Sequence, residues 1–154
     1  MKNYKIIMHC SATAENKDYT ELQLEIDHEA RGINTPMGYH FFIRKSGRIV
    51  EGRELTRKGA HALGYNNNSW GICYEGGLGI DGQTWKDAKD TRTENQKASE
   101  LNCIYKIIEF IKSIAKGEIN KDYEIEITGH GQLPGVAKEC PSYDAKKECA
   151  WITA

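Results

Sequence analysis

Short apolar, β-prone runs alternate along this 154-residue chain with stretches of helical periodicity, and this alternation restricts the possible folds most strongly. The predicted strands cover residues 4–10, 38–44, 48–51, 70–75 and 124–128. Strands that alternate with helices predict an α/β domain with one central mixed β-sheet flanked by helices. The second and third strands read as a β-hairpin that turns at Ser46-Gly47, and this hairpin argues against an all-parallel sheet.

The first helical stretch is predicted to open at Thr20, a residue type that commonly caps helix N-termini. Leu22 and Ile26 lie four residues apart and are predicted to form its apolar face. Gly32 is expected to end this helix because glycine is a strong helix stop signal.

The longest helix is predicted to begin at a capping box formed by Thr93 and Gln96 and to end at Gly117. Its predicted apolar stripe consists of Leu101, Ile104, Tyr105, Ile108, Ile111 and Ile114. A short helix follows over residues 144–151. The chain contains no internal repeat and no low-complexity segment, so residues 1–154 are predicted to form a single domain.

The charge balance of the chain gives no indication of a strongly charged binding partner. The net charge is −1, the isoelectric point is near 6.5, and the two signs are interspersed, so we expect neither nucleic-acid binding nor association beyond a monomer. No apolar run approaches the roughly 20 residues that a membrane span needs. The first residues lead directly into a strand without a secretory signal, so we expect synthesis in the cytosol.

The cysteines do not form the pattern of a disulfide framework. Their number, five, is odd, and without an export signal reduced thiols or metal ligands are expected. Cys10, Cys73 and Cys103 lie in predicted strands or on an apolar helix face, where a cysteine packs as a small hydrophobic residue. Cys140 differs because Lys138 lies close to it in the chain, and a nearby cation favours the thiolate that binds metals.

Two histidines join Cys140 as candidate metal ligands. His9 ends the first strand, and His130 follows the last one between two glycines. Both positions lie at the carboxyl ends of strands, where α/β sheets commonly form ligand crevices. Three such ligands with a fourth position left open are typical of catalytic zinc. Taken singly, each residue also fits a hydrogen-bonded or packed role, so the pattern alone leaves both interpretations open.

Three further residues are candidates for a site around the zinc ligands. Lys138 would bring an ammonium within reach of a developing oxyanion. Strand alternation predicts that Tyr39 shares a face with Phe41 and directs its hydroxyl into a cleft. His61 falls in a glycine-rich loop, where binding residues concentrate. The remaining histidine of the first helix, His28, is expected at the surface.

Taken together, these residues resemble the type 2 zinc-dependent N-acetylmuramoyl-L-alanine amidases, which include short bacteriophage lysozyme-amidases and peptidoglycan recognition proteins. The resemblance runs in family order over nearly the whole chain. Its motifs are His9-Cys10-Ser11-Ala12-Thr13, Gly38-Tyr39-His40-Phe41, Gly47-Arg48-Ile49-Val50-Glu51-Gly52-Arg53, Gly59-Ala60-His61-Ala62, Gly64-Tyr65-Asn66-Asn67-Asn68-Ser69-Trp70-Gly71-Ile72-Cys73, Gly76-Gly77, Gly129-His130 and Lys138-Glu139-Cys140-Pro141-Ser142-Tyr143-Asp144.

The resemblance implies the amidase and peptidoglycan-recognition fold and a zinc hydrolase that cleaves the amide between N-acetylmuramic acid and L-alanine in peptidoglycan. It implies that His9, His130 and Cys140 bind Zn²⁺. It also implies that Tyr39 and Lys138 are catalytic and that His61 lines the substrate cleft. A bacteriolytic phage endolysin that acts on the cell wall after release fits these expectations.

Other functional classes remain open at this point. Some proteins with this fold bind peptidoglycan without cleaving it, and they have usually lost the ligand cysteine, which this chain keeps as Cys140. Some phage relatives also regulate their phage RNA polymerase, and no feature of this sequence indicates such a surface. A bacterial effector or recycling enzyme would show the same chemistry as an endolysin.

Overall fold

The structure, a computed structural model, describes residues 2–116 and 122–152. Its strands are β1 (Lys2–Cys10), β2 (Thr13–Ala14), β3 (Phe41–Ile43), β4 (Ile49–Glu51), β5 (Ser69–Tyr74), β6 (Gly77–Leu78) and β7 (Tyr123–Gly129). Its α-helices are α1 (Glu21–Ala30), α2 (Glu94–Ala115) and α3 (Ala145–Glu148), and short 3₁₀ helices cover Trp85–Asp87 and His130–Gln132.

Five strands form the central sheet in the order β4-β3-β5-β1-β7. β1 pairs in parallel with both β5 and β7, and β3 pairs in parallel with β5. β4 runs antiparallel to β3 as the predicted hairpin, with Phe42 opposite Val50. The prediction of a mixed sheet flanked by helices is therefore confirmed. β2 and β6 form a separate parallel pair that the sequence analysis did not predict.

The interior strand β1 contributes to two packed layers because its side chains alternate between the two faces of the sheet. Ile6 and Met8 pack in a large cluster with residues of α2 such as Ile107. Ile7, on the opposite face, belongs to a smaller cluster with Leu133. His9 lies two residues after Ile7 in β1, so its side chain is expected on the same face as that of Ile7. This face is the one opposite α2.

The first helix buries a different face from the one predicted. Thr20 caps α1 as expected, its hydroxyl accepting the Gln23 N–H at 3.1 Å. The buried side chains are Leu24 and His28, whereas Leu22 and Ile26 are 64% and 51% exposed. Leu24 packs with the cluster that contains Phe42 on the face of the sheet opposite α2, and this contact determines the orientation of the helix. The predictions for Leu22, Ile26 and His28 are wrong for this reason.

The longest helix begins as predicted and is rotated slightly from its predicted stripe. Thr93 and Gln96 form the capping box of α2, with bonds of 3.0 Å in both directions. The buried side chains of this helix are Gln96, Glu100, Cys103, Ile104, Ile107, Ile108, Ile111 and Ala115. Tyr105 and Ile114, predicted as buried, are 45% and 42% exposed. Gly117, the predicted end, lies outside the described residues.

A buried ion cluster connects the start of α2 with α3. The Arg92 side chain is 1% exposed and donates to Glu100 at 2.9 Å, to Glu148 at 2.7 Å and to Asp90 at 2.8 Å. Its guanidinium carbon lies 3.4 Å from the ring centre of Tyr143. This arrangement ties the C-terminal segment to the main helix. Within residues 2–116 and 122–152, no helix is long and apolar enough to cross a membrane.

Candidate metal centre

Two neighbouring parallel strands bring His9 and His130 together. In the register of β1 and β7, Met8 lies opposite Gly129. The next residues, His9 and His130, therefore lie side by side at the carboxyl ends of the two strands. The two imidazole ring centres are 4.7 Å apart. His9 is buried at 1% exposure, and His130 is half-buried at the start of a 3₁₀ helix. The prediction that both histidines lie at carboxyl strand ends is confirmed.

The loop after His130 returns to place Cys140 beside His9. The Gly131 N–H donates to the Cys140 carbonyl at 2.8 Å, and the Cys10 N–H donates to the Cys140 Sγ at 3.4 Å. A Cβ on Gly131 would lie 1.9 Å from the Lys138 carbonyl oxygen, so this close approach requires glycine. The Cys140 Sγ lies 3.9 Å from the His9 Nδ1.

One ring nitrogen of His9, one ring nitrogen of His130 and the sulfur of Cys140 lie within 4.8 Å of one another. In a tetrahedral zinc site, Zn–N and Zn–S bonds of about 2.1 and 2.3 Å place neighbouring ligand atoms roughly 3.3–3.6 Å apart. The separations in this structure reach up to 4.8 Å, so the side chains would move closer together to bind the ion. Imidazole and thiolate donors are the set that zinc prefers, so these residues fit a zinc ion.

Burial keeps the two imidazoles in the neutral form that binds metals. It lowers the pKa of His9 well below the usual value, and the nearby His61, His130 and Lys138 lower it further. Burial likewise lowers the pKa of His130 to about 4, with a smaller contribution from Lys138. A hydrogen bond with Cys10, together with burial, raises the pKa of the Cys140 thiol. A bound cation offsets this shift because it stabilises the thiolate directly.

A cleft of about 590 Å³ opens beside these residues. Its walls include His28, Tyr39, His61, His130 and Lys138. The structure thus brings the six predicted site residues into one region, with His9 and Cys140 buried next to the cleft at 1% and 5% exposure.

Tyr39 lines this cleft, but it lies in a segment before β3 and not in a strand as predicted. Residues 38–40 precede β3 and are not part of a strand, so strand alternation does not apply to them. Tyr39 packs with the cluster of Phe42 and Cys73 rather than with Phe41, so that part of the prediction is wrong. Its ring centre lies 4.9 Å from that of His9. Burial raises the pKa of Tyr39 well above its usual value, so its hydroxyl stays protonated and can donate a hydrogen bond.

Lys138 is an exposed cation that lines the cleft. Its side chain lines the cleft on the loop that ends at Cys140, and its charge is one reason for the lowered pKa values of His9 and His130. A positive charge at this position favours negative charge that develops on a substrate in the cleft.

His61 contacts a candidate ligand, which the sequence analysis did not anticipate. Its Nδ1 lies 2.8 Å from the Nε2 of His9, and the ring also lines the cleft. Burial lowers the pKa of His61 to about 3, with smaller contributions from His40 and His130. His61 is therefore neutral at pH 7.

His28 is a further cleft residue that the sequence analysis placed at the surface. Its Nδ1 accepts the Gly38 N–H at 2.9 Å, and its ring centre lies 5.2 Å from that of Tyr39. One signal in the sequence was available. His28 lies four residues after Leu24, the other buried position of α1, and this is the spacing of a common helix face.

Comparison with known proteins identifies relatives over nearly the whole chain. A family model described as N-acetylmuramoyl-L-alanine amidase matches residues 2–143. The endolysin of Escherichia phage T7 is 31% identical over 142 residues, which cover 92% of this chain and 82% of that protein. The endolysin of Klebsiella phage KP32 is 29% identical over 143 residues, 93% of this chain and 83% of that protein.

A solved structure has the same fold. The N-acetylmuramoyl-L-alanine amidase LysC from Clostridium intestinale URNW superimposes with a TM-score of 0.67 at 24% identity. The match covers 96% of this chain and 81% of that one. At this level of identity the likeness concerns the fold alone.

Proposed function

The chain belongs to the N-acetylmuramoyl-L-alanine amidase family, and we propose that it carries out this reaction with a zinc ion held by His9, His130 and Cys140. It is a peptidoglycan amidase with a lytic function, a hydrolase of the bond between N-acetylmuramic acid and L-alanine. The zinc and the roles of individual residues are the proposed part.

The convergence of the three ligand atoms is the observation that carries this proposal. They come from opposite ends of the chain and lie within 4.8 Å of one another at one end of the sheet. A site for a structural zinc would have four protein ligands. Among the described residues, the group consists of these three ligands, which is the number typical of a catalytic zinc.

A zinc ion held by His9, His130 and Cys140 would supply Lewis-acid chemistry, which polarises a carbonyl group and lowers the pKa of water toward about 7. The residues of the chain supply orientation and proton transfer. Tyr39, protonated because of its raised pKa, donates a hydrogen bond that orients the scissile amide or the attacking water. The same hydroxyl is suited to pass a proton to the leaving amine.

Lys138 is proposed to stabilise the transition state electrostatically. Hydrolysis of an amide places negative charge on the former carbonyl oxygen, and an ammonium lining the cleft favours that charge. A thiolate ligand donates more electron density than an imidazole, so a zinc site with one cysteine benefits from such an additional cation. His61 and His28 complete the wall against which the substrate lies.

The substrate and the endolysin relatives indicate where the protein acts. The protein acts on the cell wall, and we propose that it is a phage endolysin that reaches the wall after release from the cytosol in which it is made. We further propose that residues 1–154 act as one domain and as a monomer.

The experiment is mass spectrometry of purified sacculi after incubation with the protein, with zinc added or removed. We expect zinc-dependent release of stem peptides that begin with a free L-alanine amino group. Intact sacculi from a protein that binds zinc and peptidoglycan would instead indicate recognition without cleavage.

Variants separate metal binding from turnover. Cys140→Ser is expected to lose zinc and activity together, whereas Tyr39→Phe and Lys138→Ala keep zinc and lose at least about 100-fold in turnover. Matched controls are the exposed Tyr105→Phe and Lys146→Ala. Full activity of Lys138→Ala with normal zinc content would exclude the oxyanion role.

A further inference from the structure

A chain of three hydrogen bonds leads from a backbone carbonyl to the candidate ligand His9. The Ser69 hydroxyl lies 2.6 Å from the Tyr65 carbonyl oxygen and 3.4 Å from the His61 Nε2. The His61 Nδ1 lies 2.8 Å from the His9 Nε2. The remaining nitrogen of His9, Nδ1, faces the Cys140 sulfur at 3.9 Å.

The carbonyl end determines the direction of every bond in this chain. A carbonyl oxygen only accepts, so the Ser69 hydroxyl donates to Tyr65, and its own lone pairs then accept the Nε2–H of His61. A neutral imidazole with its proton on Nε2 has a lone pair on Nδ1. The His61 Nδ1 therefore accepts the Nε2–H of His9, which leaves the lone pair of His9 Nδ1 directed toward the ligand cluster.

Closely packed backbone segments and a side-chain hydrogen bond fix the position of His61. A Cβ on Gly59 would lie 2.5 Å from the His61 Cδ2, and one on Gly71 would lie 2.7 Å from its Cγ. The Asn66 Oδ1 accepts the N–H groups of His61 and Ala62, both at 3.0 Å. The ring of His61 thus occupies space that is free only because Gly59 and Gly71 lack side chains. The hydrogen bond from its main-chain N–H to the Asn66 side chain holds the backbone in place.

We propose that Ser69 and His61 are positioning residues that hold His9 in the Nε2–H tautomer, with Nδ1 ready to bind the metal. This inference deepens the proposed zinc site and rests on it. A partner that fixes the tautomer and the orientation of a ligating histidine typically changes metal affinity about 10–100-fold when removed. The role is distinct from substrate contact, because it acts through His9.

The first test measures zinc affinity by competition with a chromophoric chelator. His61→Leu removes the acceptor for the His9 Nε2–H and is expected to weaken zinc binding about 10–100-fold. His61→Asn keeps an acceptor oxygen near the position of Nδ1 and should recover most of the affinity. Asn67→Ala, an exposed position in the same loop, is the control and should bind zinc as the wild type does.

The second test needs neither zinc nor activity. Nitrogen-15 NMR of the metal-free wild type should show His9 protonated at Nε2, and Ser69→Ala should weaken this preference. A His9 ring protonated at Nδ1 in the wild type overturns the inference, as does a zinc affinity of His61→Leu equal to that of the wild type. A wild type that binds no zinc but shows the expected tautomer refutes the zinc site and leaves the hydrogen-bond chain supported.

Discussion

The buried His28 makes the stability of this protein depend on pH in a way that one substitution can isolate. His28 is 3% exposed, and its Nδ1 accepts the Gly38 N–H. Burial lowers its pKa from 6.5 to about 4, and the charge of Arg31 contributes to the same shift. The folded protein therefore holds this ring neutral at pH values where the unfolded chain already binds a proton.

The size and sign of the effect follow from proton linkage. Below pH 6.5 the unfolded state binds one more proton at His28 than the folded state, so the free energy of unfolding falls as the pH falls. The loss is about 1.4 kcal/mol per pH unit, or about 2 kcal/mol between pH 6.5 and 5, and it levels off below the folded pKa near 4.

The comparison is urea unfolding of the wild type and His28→Asn at pH 7 and pH 5 in the presence of a chelator. Asparagine does not titrate and keeps an acceptor for the Gly38 N–H, and the other buried histidines are present in both proteins. We expect the wild type to lose about 2 kcal/mol more than the variant between the two pH values. An equal loss in both proteins would refute the assignment of this shift to His28.

Three further tests concern the close packing at Gly131, the buried ion cluster of Arg92 and the helix cap at Thr93. Gly131→Ala should displace the Lys138 segment, because the added Cβ would lie 1.9 Å from its carbonyl oxygen, and both zinc affinity and activity should fall while far-ultraviolet circular dichroism stays unchanged. Arg92→Met should cost about 3–5 kcal/mol in urea unfolding by leaving the buried Glu100 without its cation, and adding Glu100→Gln should recover part of that loss. Thr93→Ala removes the cap of the longest helix and should cost about 1 kcal/mol in the same assay, whereas a cost near zero would contradict the capping role.

Local patterns in the sequence were sufficient for the five strands of the central sheet, its hairpin and the N-terminal ends of the first two helices. The hairpin turn, the Thr20 cap and the capping box of Thr93 and Gln96 were all predicted and are all present. These features depend on residues within a few positions of one another, so their physical causes are contained in short segments. The five strands of the central sheet were predicted for the same reason, from runs of apolar and β-prone side chains.

The candidate ligands were also predictable from the sequence, since His9 lies near the end of a strand, His130 follows a strand and Cys140 lies in a loop beside Lys138. Their meeting point was not. It depends on the parallel register of β1 and β7, in which Met8 lies opposite Gly129, and on the loop after Gly131, which brings the Cys140 sulfur to the Cys10 N–H. Both contacts join residues more than a hundred positions apart in the chain.

Tertiary structure alone decided which surfaces are buried and how the site histidines are connected. For α1, packing of Leu24 on the sheet selected the face that buries His28, although the face with Leu22 and Ile26 is the more apolar one in the sequence. The bond between His61 and His9 likewise exists only because the chain folds a glycine-lined loop against the end of β1. A sequence records which groups can donate, accept or pack, but the partners of each group are set by distances that exist only in the folded chain.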